Sequence, residues 1–204
     1  MSNQHPALTP EHLAKLEGES IWAAQHTLMA SSAQSLPQQF QINNDAVLYG
    51  ALMAEENGET LEALANAVGV VDEATAEKVM PLLAKLSGLG TMMRDVSKEI
   101  RKELAAAPKF ATNFDLENEK HRNALKPLLD GAADTLVVTA GLMNATGMNG
   151  TLSYGAAQQS NHTKIDPATG MMFKGDDGKW IKGPHFTEPD WDLVIDTTVA
   201  RRQQ

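Results

Sequence analysis

Five carboxylates in two short stretches are the residues of this chain best suited to chemistry. Leu52-Met53-Ala54-Glu55-Glu56-Asn57-Gly58-Glu59 carries three of them, and Asp130-Gly131-Ala132-Ala133-Asp134 carries two. At about 100° per residue around a helix, Glu56 and Glu59 fall among Leu48, Tyr49, Leu52 and Ala63, inside the apolar stripe, with Glu55 and Glu62 at its rim. Asp130 and Asp134 are four residues apart and share a face with Val137, Gly141, Asn144 and Met148. Burying a carboxylate costs on the order of several kcal/mol unless it is paired or bound to a cation. No Arg or Lys lies within a helical turn of Glu56 or Glu59 on that face. The simplest compensation is a divalent ion held between two helices, and hard carboxylate oxygens suit Mg²⁺, with Mn²⁺ as substitute. A lone EExxE on a helix is more simply a solvated acidic face. The second acidic pair turns the balance towards metal.

These residues need helices to carry them. Thr9-Pro10-Glu11 is a good start for a first helix running to about residue 31, with Thr9 as N-cap and Pro10 in the first turn. Residues 31–44, with Pro37 and several Gln, read as a linker. A helix from about Asn43 to Val68 carries the first acidic motif. Residues 70–108 have helical periodicity interrupted at Pro81 and at Gly88-Leu89-Gly90, which predicts two helices. Residues 115–148 carry the second acidic motif and end at Gly147 and Gly150. Beyond Gly150 the composition turns to Gly, Asp, Lys and Pro, which predicts an extended tail. Within it, Met171-Met172-Phe173 and Trp180-Ile181 flank an Asp-Gly hairpin signal. The expected fold is all-α, with an N-terminal helix over 1–32, a four-helix-bundle-like core over 33–150 and an extended tail with a short hairpin over 151–204.

With 204 residues and 42% hydrophobic content, the chain can bury a real core. A net charge of −9 argues against a sequence-independent binder of nucleic acid or anionic membrane. The absence of cysteine removes disulfides and thiolate zinc sites, and the first residues lack the layout of a signal peptide, so a cytoplasmic protein is expected. No apolar run approaches the length of a membrane span. The six histidines show no HExxH or clustered spacing, and no GxxxxGK[ST] phosphate loop is present.

Three ordered pieces resemble the MazG and phosphoribosyl-ATP pyrophosphohydrolase superfamily, in its phage or bacterial form. Residues 52–64, with Glu55, Glu56 and Glu59, are similar to that family's EExxE helix. Residues 129–141 resemble the DGxxD version of its second metal motif, although Gly131 stands where the wider family carries the first acidic residue and Asp130 takes its place. Ser160-Asn161-His162-Thr163-Lys164, followed by Asp177-Gly178-Lys179 and Lys182-Gly183-Pro184, resembles the SNxxK and DGKxxKGP tail. The spacing between the acidic motifs is longer than the resemblance leads one to expect, which suggests an inserted helical hairpin.

The resemblance implies a MazG-type core that hydrolyses a nucleoside triphosphate to the monophosphate and pyrophosphate in nucleotide-pool control. Glu56, Glu59, Asp130 and Asp134 would hold Mg²⁺, Glu55 would act as base, and Asn161, Lys164, Lys179 and Lys182 would bind the nucleotide. A base pocket is expected from Gln39, Gln41, Asn43 and Asn44, whose amides favour (d)GTP slightly over dUTP or dCTP. Two other readings stay open. One is a helical nucleotide-binding or interaction protein without turnover; the other is a phosphoribosyl-ATP pyrophosphohydrolase. A homodimer or dimer of dimers is expected, because apolar flanks beside acidic stripes need partner surface.

Overall fold

A computed structural model describes residues 28–29, 40–177 and 179–202. Among them the chain is mostly helical, in line with the all-α reading. The elements are β1 (Gln41–Asn43), α1 (Asn44–Val71), α2 (Glu73–Ala106), β2 (Ala111–Asn113), α3 (Glu119–Ala145), α4 (Gly150–His162) and α5 (Trp191–Arg202). The N-terminal helix expected over residues 1–32 lies outside the described residues except for Leu28 and Met29, which are helical. The described chain divides into two compact units. The first holds Phe40–Asn113 with Gly175–Lys179, and the second holds Phe114–Lys174 with the segment from Trp180 onward.

The first unit is a hairpin of two long helices, closed at both ends by side chains. Asn43 caps α1, its Oδ1 accepting from the Ala46 amide at 2.9 Å. Asp72 ends α1 and begins α2: its carboxylate accepts from the Thr75 amide at 3.0 Å and the Thr75 hydroxyl at 2.6 Å. These bonds hold the Asp72 carboxyl below its ordinary value. At the other end β1 and β2 pair antiparallel, Ile42 opposite Thr112. Beside them Asn44 donates to the Pro108 carbonyl at 3.4 Å and accepts from the Phe110 amide at 2.7 Å.

The seam between the helices follows a heptad. Leu48, Ala51, Glu55, Gly58 and Ala65 are buried along α1, and Ala76, Leu83, Gly90 and Ser97 are buried seven apart along α2, followed by Arg101. A Cβ added at Gly58 would come 2.5 Å from the Gly90 carbonyl oxygen, and the converse holds for Gly90. The backbones touch there, and only glycine permits it. Towards the Asp72 connection, Ala65, Ala76 and Leu83 form an apolar cluster with Val68, Val79 and Leu86.

This seam overturns two expectations. Within residues 70–108 the segment Glu73–Ala106 forms one 34-residue helix, α2, where two were expected. Pro81 is exposed, so the carbonyl it leaves without a donor is on the solvated side, while Gly90 is a contact point and not a break. The inward face of α1 is also rotated from the expected one. Glu55 is 6% exposed, whereas Glu56 and Glu59 are exposed. Close approach selects small residues at the seam, and Ala51, Gly58 and Ala65 mark that line better than Tyr49 or Leu52 do.

In the second unit α3 begins at Asn118, whose Oδ1 accepts from the Lys120 amide at 3.0 Å. Of its 27 residues only Leu125 is buried. Asp130 and Asp134 are exposed, against the expectation that they face inward, and so are Leu128, Leu129, Leu136, Val137 and Val138. The expected extended tail instead opens with α4, capped by Asn149 on the Leu152 amide at 3.1 Å, and closes with α5. Leu152 and Ala156 of α4 pack on Val194 and Leu193 of α5. The small and polar residues of α4, with Gly155 and Ser160 among the buried ones, give it a weak periodic signal. Between α4 and α5 the chain is irregular, with antiparallel bridges Ile165 to Met172 and Lys174 to Trp180 at the predicted hairpin. Among the described residues no helix is long and apolar enough to cross a membrane.

Candidate functional site

In the first unit the seam carries two ionic rungs seven residues apart. Glu62 meets Arg94, whose Nη2 lies 2.9 Å from its carboxylate, and Glu62 also accepts from the Thr91 hydroxyl at 2.7 Å. One heptad back along α1, Glu55 meets Arg101. Arg101 Nη2 stands 3.1 Å from Glu55 Oε2, an ion pair without hydrogen-bond alignment, and both side chains are buried. A buried pair of this kind needs further hydrogen bonds to offset its desolvation. They come from the turn Gly175–Lys179. Lys179 Nζ donates to Glu55 Oε1 at 2.8 Å, and Arg101 Nη1 donates to Asp177 Oδ2 at 2.7 Å.

The turn is also closed on itself. The Lys179 amide donates to Asp177 Oδ1 at 3.1 Å, and the Gly175 amide donates to the Lys179 carbonyl at 2.9 Å. Glu55, Asp177, Arg101 and Lys179 therefore form a charge-balanced ring, dry at Arg101 and Glu55 and half-exposed at Asp177 and Lys179.

In the second unit a different set converges on Phe186. Lys182 Nζ is 4.6 Å and Lys164 Nζ 5.8 Å from the centre of its ring, both within cation–π range. Lys164 donates to Asn161 Oδ1 at 2.7 Å, and Lys182 pairs with Glu188. The end of α4 is tied to this region through the Ser160 hydroxyl, which donates to the Thr187 carbonyl at 2.7 Å, and through the Thr163 hydroxyl, which accepts from the Thr187 amide at 2.9 Å. Two ammonium groups thus lie over one aromatic ring, one held by the Asn161 amide oxygen and the other paired with the Glu188 carboxylate.

No family model matches the chain, and no curated protein or solved structure matches it. The site has to be read from its own residues. Of those singled out in the sequence, Lys179 joins Glu55, Lys164 and Lys182 come together at Phe186, and Asn161 holds Lys164. Glu56 and Glu59 lie on α1 in the first unit, Asp130 and Asp134 on α3 in the second. All four are exposed carboxylates, the hard donors that Mg²⁺ or Mn²⁺ takes, so the donor type fits the metal. Among the described residues no three acidic or histidine side chains are gathered tightly enough to hold one.

Of the four residues expected to build a base pocket, two are engaged elsewhere. Asn43 and Asn44 use their amides as a helix cap and a clamp on the backbone, and Gln39 lies outside the described residues. Sequence reasoning missed Arg101 and Phe186, and quoted Asp177 only as part of a motif, without a role. The signal for Arg101 was present in its seven-residue spacing from Arg94, matching that of Glu55 from Glu62.

Proposed function

We propose that this protein is a Mg²⁺-dependent nucleoside triphosphate pyrophosphohydrolase, releasing pyrophosphate and a nucleoside monophosphate. The observation that carries the reading is the 2.8 Å contact between Lys179 and Glu55. It joins the DGK segment of the tail to the EExxE helix, two motifs 124 residues apart, within one compact unit. A triphosphate needs cations for its phosphates and hard carboxylates for its metal, and both kinds of group flank this contact. The placing of Lys164, held by Asn161, and of Lys182 over Phe186 supports it independently.

Glu56 and Glu59 in one unit, and Asp130 and Asp134 in the other, are the carboxylates offered to metal. A divalent ion held by carboxylates of this kind would neutralise phosphate charge and lower the pKa of a coordinated water. The protein's own groups bind and orient. Lys164, Lys179 and Lys182 complement phosphate, and Asn161 offers a carbonyl and an amide to phosphate or sugar. Glu55 stays the candidate base, and the oxygen it gives to Lys179 becomes open to a water only when that contact loosens. The broad exposed apolar surface of α3 supports a homodimer or larger homo-oligomer.

One observation favours a second reading, a nucleotide-binding protein without turnover: Glu55 is already engaged by two cations. The experiment incubates the protein with each common NTP and dNTP and Mg²⁺ or Mn²⁺, and resolves monophosphate and pyrophosphate from diphosphate and phosphate. We expect monophosphate and pyrophosphate from one or two nucleotides, falling at least about a hundredfold in Glu59→Ala. No product with either metal would remove hydrolysis of the common nucleotides and leave the binding protein or phosphoribosyl-ATP as substrate.

A further inference from the structure

We infer that Arg101 is a positioning residue for polyphosphate binding by Lys179, acting through Asp177 and Glu55. The inference rests on the ligand-binding reading of Lys179 given above. The Arg101 side chain is only 6% exposed, so an incoming ligand does not reach it, whereas Lys179 is 34% exposed and Asp177 38%. What the buried guanidinium does is fix both ends of the lysine. Through Nη1 it holds Asp177 Oδ2, and the other oxygen of that carboxylate holds the Lys179 amide. Through Nη2 it faces Glu55, whose second oxygen holds the Lys179 ammonium.

Two carboxylates set at different angles need a planar fork with two donor ends, which arginine provides and lysine does not. The ammonium carries three N–H groups and Glu55 Oε1 takes one. Phosphate oxygens can therefore approach Lys179 without opening the ring. A long side chain held in advance also loses less conformational freedom when the ligand arrives. The ligand chemistry is that of a linear polyphosphate, free or as the tail of a nucleotide.

The test is titration calorimetry of the full chain with inorganic tripolyphosphate, without added metal. The variants are Lys179→Met, Asp177→Asn, Arg101→Lys and the double variant Asp177→Asn with Lys179→Met. Lys179→Met should weaken binding about tenfold or more. Asp177→Asn and Arg101→Lys should weaken it by a comparable factor, although neither removes a charge that attracts the anion. Asp177→Asn removes a negative charge and on electrostatics alone would tighten binding, so a loss there runs against the simple field effect. Adding it to Lys179→Met should cost nothing further, whereas a merely structural role would add its loss in the double variant.

If Arg101→Lys fails to fold by circular dichroism, Asp177→Asn at its half-exposed position carries the test. Binding by Asp177→Asn as tight as wild type, additive losses in the double variant, or no binding by the wild type overturns the inference. Turnover of a nucleotide without this pattern would leave the enzyme standing and remove the inference. The pattern without turnover would do the reverse.

Discussion

Glu55 is the residue on which the sequence and the fold pull in different directions. By type and motif it belongs to a reactive acidic helix, yet it sits on the α1/α2 seam with Arg101 on one oxygen and Lys179 on the other. Removing one partner of a buried pair leaves the other charge without compensation, which costs more than the pair contributes. Glu55→Gln is therefore expected to destabilise the protein by about 3 kcal/mol. Glu59→Gln, at an exposed position one turn along the same helix, should change stability by no more than about 0.5 kcal/mol. Urea unfolding followed by circular dichroism measures both, and equal midpoints for the two variants would show that the ring is not a stabilising element. The residue most easily missed was Arg101. It has no motif, and it gains meaning only when Glu55 is known to face it.

At the scale of elements, the hairpin of α1 and α2 is set by where its two helices touch. Gly90 looks like a helix breaker in the sequence, and Gly58 stands opposite it across the seam. Their place at the crossing makes them the residues that allow it, since an added Cβ at Gly58 would lie 2.5 Å from the Gly90 carbonyl. Gly58→Ala must push the helices apart and is expected to cost about 1–3 kcal/mol. Gly88, two residues from Gly90, is exposed, and an added Cβ there meets nothing within 4 Å. Gly88→Ala should stabilise by about 0.5–1 kcal/mol through helix propensity alone. Thermal unfolding of the pair reads the sign directly, and a stabilised Gly58→Ala would overturn the tight crossing. The start of α1 near Asn43 was easier to read, whereas α4, which Asn149 caps, was expected to be extended. Asn43, Asp72, Asn118 and Asn149 each cap a helix through a side-chain oxygen.

At the scale of the whole molecule, α3 leaves Leu128, Leu129, Leu136, Val137 and Val138 exposed, by 46% or more each. Among the described residues this 27-residue helix has a single buried residue, which leaves apolar surface for a partner. A second copy of the chain is the expected partner. Light scattering at micromolar concentration should then report a dimer or larger, and Val137→Asp should shift it towards monomer. A wild-type protein that stays monomeric would count against self-association.

What the sequence determined by itself is the local chemistry: helical character from periodicity up to α3, the start of α1 near Asn43, a hairpin from its Asp-Gly step, and residue types whose chemistry suits phosphate and metal. These are short-range properties, fixed by neighbours within a turn or two of the chain. The tertiary structure decided which glutamate faces inward, that one helix runs through Pro81 and Gly90, and that Lys179 closes on Glu55. Those outcomes depend on contacts between distant segments. A rotation of about 100° around α1 exchanges Glu55 for Glu56 at the seam, and only the packing of the opposite helix selects between them.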